Sequence, residues 1–205
     1  MKVFVLILLF GLLAPMPAAA LSPSPNPPQM IESSSVESLA EEYSVYTAIL
    51  NQYLSPTSNV KILVLRDFAQ TETESKRQLT DRIRFVSKNL PALEKKTASN
   101  FKKQNRKPFP LQEQFALSVP VKLISDEEFR QLVPSAADWS GFYAAYPGAP
   151  GLVTFSRVGF NRDLTQAVVY LSQVAGPLGG EGVFVLLQKE NGVWTPTEEI
   201  TVWIS

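Results

Sequence analysis

Apolar residues recur along this chain with two different periods, and the change of period divides it. Val36, Leu39, Tyr43, Tyr46, Leu50 and Tyr53 recur at spacings of three and four, one stripe of an amphipathic helix. Ser34 with Glu37 predicts a capping box at its start, and Ser55-Pro56 predicts its end. The three tyrosines read as core or core edge with hydroxyls reaching water. "VKILVLRDF" (60–68) is a short apolar run that predicts a buried strand, closed by Arg66 and Asp67. From 76 to 104 the helical period returns, with Leu79, Ile83, Val86, Leu90, Leu93 and Phe101 on one face. Pro91 interrupts it, which predicts two helices or a kink, with Pro91 near the start of the second. "VPVKLIS" (119–125) predicts a strand. "SDEEFRQLV" (125–133) predicts a short helix capped by Ser125, with Glu128 three residues on. Asp126 and Glu127 suit the helix dipole there without invoking a metal.

The C-terminal third is β in pattern. Residues 151–161, 165–174, 182–190 and 193–205 follow one another with short connections, and Asn191-Gly192 marks a hairpin turn. Ala167, Val169 and Leu171 occupy one face of the second segment and Val168 and Tyr170 the other. Both faces therefore need cover from the helices. The predicted class is α+β, with N-terminal helices packed on a C-terminal antiparallel meander. "GPLGGEG" (176–182) has no helix after it, and "VFVLLQK" follows instead. It therefore lacks the helix N-terminus that a phosphate cradle uses. It reads as a wide hairpin connection whose glycines take conformations other residues avoid.

The first residues change the picture of where the chain goes. Lys2, the apolar run "VFVLILLFGLLA" (3–14) and the small residues Ala18 and Ala20 match a secretory signal cleaved near Ala20. The run is shorter than the ~20 residues of a comfortable membrane span, although an uncleaved anchor competes with this reading. "LSPSPNPPQ" follows, so 21–31 reads as a Pro/Ser-rich tether and 32–205 as a single domain. The expected location is secreted or periplasmic.

Composition then removes chemistry. The chain has no cysteine and no histidine, which excludes thiol nucleophiles and the Ser-His-Asp triad. It also removes the usual ligands of zinc and copper. No metal and no cofactor is expected. Nineteen basic residues balance nineteen acidic ones, so no global field favours nucleic acid, and no nucleic-acid partner is expected. The charges are uneven locally: Lys88, Lys95, Lys96, Lys102, Lys103, Arg106 and Lys107 crowd one stretch, with Glu94 nearby. This reads as a solvated helix face, with an anionic surface as the competing reading.

"FSRVGFN" (155–161) places Arg157 in an apolar strand, where a charge has to be paired or reach solvent. One reading is a ligand site, with Arg157 taking an anion or carboxylate beside Ser156 and Asn161. Trp139 and Tyr143, with Phe142 and Tyr146, would then form an aromatic wall. The other reading is a structural ion pair with Asp67 or Asp138. Asp138, Asp163 and Glu181 are the carboxylates available to a hydrolase. S-x-x-K occurs at 58–61 and 99–102, about as often as chance gives and without the companion motifs of penicillin-binding enzymes.

Taken with "NLPALEKKTASNFKKQNRKPFPL", "LISDEEF" and "QAVVYLSQVAGPLGGEGVFVLLQKENGVW", the segments "SRVGFN" and the terminal "WIS" give a chain that resembles a family of exported or lipid-anchored bacterial proteins over about residues 43–205. The family has no established activity. The resemblance implies bacterial origin and one extracytoplasmic domain, and transfers no catalytic residue. This chain lacks the cysteines that some relatives carry in the 174–182 loop, which argues against a thiol or metal role there. The "LLQKENGVW" hairpin also resembles the closing strands of cystatin-like folds, an analogy of fold alone. The expected function is non-catalytic binding of a small ligand or protein partner, with a carboxylate-dependent hydrolase of envelope or extracellular polymers as the alternative.

Overall fold

The structure is a computed structural model. The residues it describes are 29–205 without 53, 55–58 and 72–74, with side-chain surroundings from residue 37 onward. The predicted signal, the tether up to residue 28, the side chains of Ser34 and Val36, Tyr53 and the Ser55-Pro56 stop lie outside them.

The first helix, α1 (Gln29–Leu50), begins earlier than the period suggests. Ser34 therefore sits inside it, and the capping box expected of Ser34 and Glu37 does not form the helix start. After α1 come β1 (Leu63–Arg66) and the two-residue β2 (Phe68–Ala69). The basic stretch then folds as α2 (Lys76–Asn89) and α3 (Lys95–Gln104). Pro91 lies in the turn between these helices rather than in the second. Ser75 caps α2 by accepting from the Gln78 N–H. The N-terminus of α3 is satisfied from the sheet instead: Gln166 Oε1 accepts from Glu94 N–H at 2.8 Å and Thr97 Oγ1 at 2.9 Å.

The chain continues through β3 (Phe109–Pro110), which pairs with β2, to β4 (Val121–Ile124). Ser125 caps α4 (Asp126–Leu132) through the Glu128 N–H, as its sequence predicts. A further short helix, α5 (Ser140–Ala145), carries the aromatic stretch. The last strands are β5 (Leu152–Phe155), β6 (Gly159–Phe160), β7 (Gln166–Gly176), β8 (Gly179–Glu190) and β9 (Val193–Ile204).

The class is α+β, and the C-terminal strands form the expected antiparallel meander β5-β7-β8-β9, with β6 also on β7. The sheet does not stop there. β1 lies parallel between β5 and β4, giving the order β4-β1-β5-β7-β8-β9. The analogy with an all-antiparallel cystatin-like sheet ends at β5. Leu63, Val64 and Leu65 of β1 are all apolar because the strand is flanked on both sides and covered on both faces.

Alternation along the strands builds two cores. Leu63, Leu65, Val153, Phe155, Val169, Leu171 and Val185 face α1 and pack on its Tyr46, Ile49 and Leu50. On the opposite face, Val168, Tyr170, Phe184 and Leu186 are covered by Leu79, Ile83, Val86 and Phe101 of α2 and α3. Val64 and Leu152 on that same face are covered from the α4–α5 region, by Trp139 and Phe142. Helices thus lie on both sides of one sheet.

The β7–β8 connection corrects an expectation. Gly176 pairs with Gly179, so the turn is tight, with Pro177 and Leu178 at its tip. Gly180 and Gly182 belong to β8, and their φ angles are not in the left-handed region. Glycine is needed there for space. A Cβ on Gly182 would stand 2.1 Å from Trp203 Nε1 and 2.6 Å from the Tyr170 hydroxyl.

Candidate functional site

Arg157 lies in the link between β5 and β6 rather than within a strand, and it is paired. Its Nε donates to both carboxylate oxygens of Glu42, at 2.8 and 2.9 Å. Glu42 comes from α1, and only 3 % of its side chain is exposed, against 15 % for Arg157. The expected partners Asp67 and Asp138 are not the ones used. Glu42 Oε1 also accepts from Val158 N–H at 2.8 Å, and Tyr46 Oη lies 2.8 Å from the same oxygen. The Arg157 guanidinium stacks 3.8 Å from the Phe109 ring centroid. Asn105, at the end of α3, clamps the Arg157 backbone at 2.8 and 2.9 Å. Burial first, and the adjacent Glu42 charge second, push the Tyr46 phenol well above its ordinary pKa. A buried carboxylate with this many partners is a closed structural unit.

The other residues expected beside Arg157 are similarly committed. Ser156 Oγ accepts from Tyr170 N–H at 2.9 Å and donates to the Arg157 carbonyl at 3.0 Å. Asn161 Oδ1 accepts from the Thr165 and Gln166 N–H groups, closing the turn before β7. Its amide donates to Thr165 Oγ1 and Glu94. Trp139 and Tyr143 lie across the sheet from the Glu42–Arg157 pair, in the third apolar cluster. Trp139 packs edge-on against Phe142 and Phe129, and the Tyr143 hydroxyl donates to the Ala175 carbonyl at 2.8 Å. No wall forms beside Arg157.

The candidate carboxylates do not converge either. Asp138 is exposed and accepts from the N–H and hydroxyl of Ser140, bonds that lower its pKa. Asp163 is exposed in the turn after β6. Glu181 stands on β8, paired with Gln173 and Ile204 in the ladder. Among the described residues no group of three or more acidic side chains is placed to hold a metal ion.

The structure does bring Glu181 to a place that sequence reasoning missed. α1 runs along the β8–β9 ribbon. Glu41 binds Lys189 and accepts from Trp194 Nε1 at 2.6 Å near one end, and Ile49 and Gln52 reach the other. The sheet continues past the end of α1, and a cleft of about 230 Å³ opens there. Its floor is Leu171, Val183 and Val185, with Ile49 as one wall. Gln52, Glu181 and Glu199 supply its polar groups. The register places Glu199 opposite Val185, so the two carboxylates come from adjacent strands, four positions apart. At the usual rise that is roughly 13 Å along the strands. An apolar floor with a few convergent polar groups is the ordinary composition of a ligand site.

Among the described residues, no helix is long and apolar enough to cross a membrane. No family model, no curated protein and no solved structure matches the chain.

Proposed function

We propose that this is an extracytoplasmic, non-catalytic binding domain whose ligand enters the cleft between the end of α1 and the β7–β9 sheet. The ligand has an apolar body and a cationic head. The observation that carries this reading is the pairing of an apolar floor, Leu171, Val183 and Val185, with two carboxylates, Glu181 and Glu199, at one cleft. Apolar contact supplies affinity there and the acidic groups select positive charge. The export signal read in residues 1–20 and the resemblance to exported bacterial proteins support the location. Arg157 has a structural role in this reading.

The test is a thermal-shift series of alkylamines, polyamines and short Lys-containing peptides, each beside its uncharged counterpart. A cationic ligand at 100 times its dissociation constant stabilises by about 2.7 kcal/mol, and Glu199→Lys removes the shift. A flat series over a cooperative melt, or a shift that survives both Glu199→Lys and Glu181→Lys, rejects the cleft.

A second reading is a hydrolase using the same two carboxylates. It is favoured by their sharing one cleft and disfavoured by their spacing, since paired glycosidase carboxyls stand about 5–9.5 Å apart. Turnover of an envelope polysaccharide that is lost in both Glu181→Gln and Glu199→Gln would favour it over simple binding.

A further inference from the structure

The even charge balance of the chain conceals a separation in space. Residues 76–107 carry eleven Lys or Arg against two acids, whereas the rest of 21–205 carries seven against seventeen. That stretch folds as α2, the turn at Pro91 and α3. Both helices bury one side on the same sheet residues, Val168, Tyr170, Phe184 and Leu186. Their outer sides therefore form a single layer facing away from the sheet. Lys88, Lys95, Lys96, Lys103, Arg106 and Lys107 are exposed on this layer. Its two acids are outnumbered: Asp81 is shared by Arg77 and Arg84, and Glu94 accepts from the Asn161 amide. Phe85 stands among these cations with 48 % of its surface exposed. The cleft lies on the opposite, α1-covered side of the sheet.

We propose that the α2–α3 layer docks the domain on an anionic phospholipid surface, with Phe85 entering the interface. Lysines near such a surface each contribute attraction that adds up and is screened by salt. An aromatic ring among them gives the apolar contact that interfacial binding needs. Duplex nucleic acid offers no comparable place for an exposed ring outside its grooves. The acidic remainder of the domain is repelled by the same surface, which fixes the orientation: basic layer toward lipid, cleft toward the aqueous side.

The experiment is co-sedimentation of the full chain with phosphatidylcholine vesicles, with and without phosphatidylglycerol. The readout is the increment due to phosphatidylglycerol, because an apolar N-terminal segment contributes to both vesicle types alike. Binding is expected to increase with phosphatidylglycerol and to fall steeply with salt. Lys88→Gln/Lys96→Gln/Lys103→Gln should lower the increment by roughly 100-fold, at about fivefold for each lysine. All three side chains are exposed, so the variant should keep the wild-type melt; the corresponding Lys→Glu triple should lower the increment further. Phe85→Ser should weaken binding and leave the salt dependence in place. An absent increment, or one unchanged in both triple variants, overturns the proposal. Salt-sensitive binding to duplex DNA without binding to phosphatidylglycerol vesicles would overturn it in favour of a nucleic-acid surface.

Discussion

The two faces of the sheet are covered in different ways. On one, α2 and α3 together seal Val168, Tyr170, Phe184 and Leu186 under apolar side chains. On the other, α1 is fixed at chosen points by charge, with Glu42 on Arg157 and Glu41 on Lys189 and Trp194. A helix about 10–12 Å wide with its side chains cannot cover strands spaced about 4.8 Å apart across a sheet this broad. Part of the α1 face therefore stays open, and the cleft is what remains. Close packing seals one face, whereas the other combines a packed core under α1 with polar anchors and an open cleft at the helix end.

The largest expected effect tests the anchoring. Arg157→Ala leaves Glu42 buried without its counter-charge and should cost about 3–5 kcal/mol, measured by denaturant unfolding. Adding Glu42→Gln removes the stranded charge, keeps an acceptor for Val158 N–H, and should recover part of the loss. If Arg157→Ala unfolds like wild type, α1 is held by packing alone and the contrast between the faces disappears. Next comes the sealed face. A Cβ on Gly159 would meet Phe101 of α3, with the backbone nitrogen at 2.6 Å and Cα at 2.7 Å. Gly159→Ala should therefore cost about 1–3 kcal/mol. A cost above that of Arg157→Ala would reverse the ranking of packing and charge.

The smallest effect is confined to alkaline pH and to the α4–α5 region. Burial, reinforced by the hydrogen bond to Glu128, pushes the Tyr146 phenol up to about 12. The folded state therefore holds this proton more tightly than the unfolded chain, whose tyrosine releases it near pH 10. The contribution is fully present below pH 10 and is lost as pH rises toward 12. Tyr146→Phe should reduce the fall in melting temperature between those values and leave the neutral-pH slope unchanged. An unaltered alkaline slope would show that Tyr146 is not the group responsible.

Much of the fold was legible because its signals are local. The Pro91 break, the Ser125 cap and the alternation of 165–174 each depend on neighbours within a few residues. What escaped depends on distance. Arg157 could be recognised as a charge requiring a partner, but Glu42 is 115 residues away. A signal for it existed: Glu42 is three residues after Leu39 and four before Tyr46, an acid on the helix's apolar stripe. The parallel pairing of β1 with β4 and β5 was hidden because an uninterrupted apolar run does not name its neighbours. The glycines near 180 looked like turn residues, yet the ring of Trp203 is what requires them. The cleft was illegible for a similar reason. It depends on where α1 stops relative to the β8–β9 register, which no short stretch of sequence encodes.

The anchoring of α1 also constrains the order of assembly. Its partners Arg157, Lys189 and Trp194 lie 115, 148 and 153 residues downstream. A chain delivered N-terminus first, from a ribosome or through a translocation channel, presents α1 early and completes its docking site last. Contacts of such long separation are slow to form. Until β8 and β9 arrive, the sheet under the helix is incomplete, and Glu41 has neither Lys189 nor Trp194 to hold. The domain thus closes from its far end, and the last strand to emerge completes the seat of the first helix.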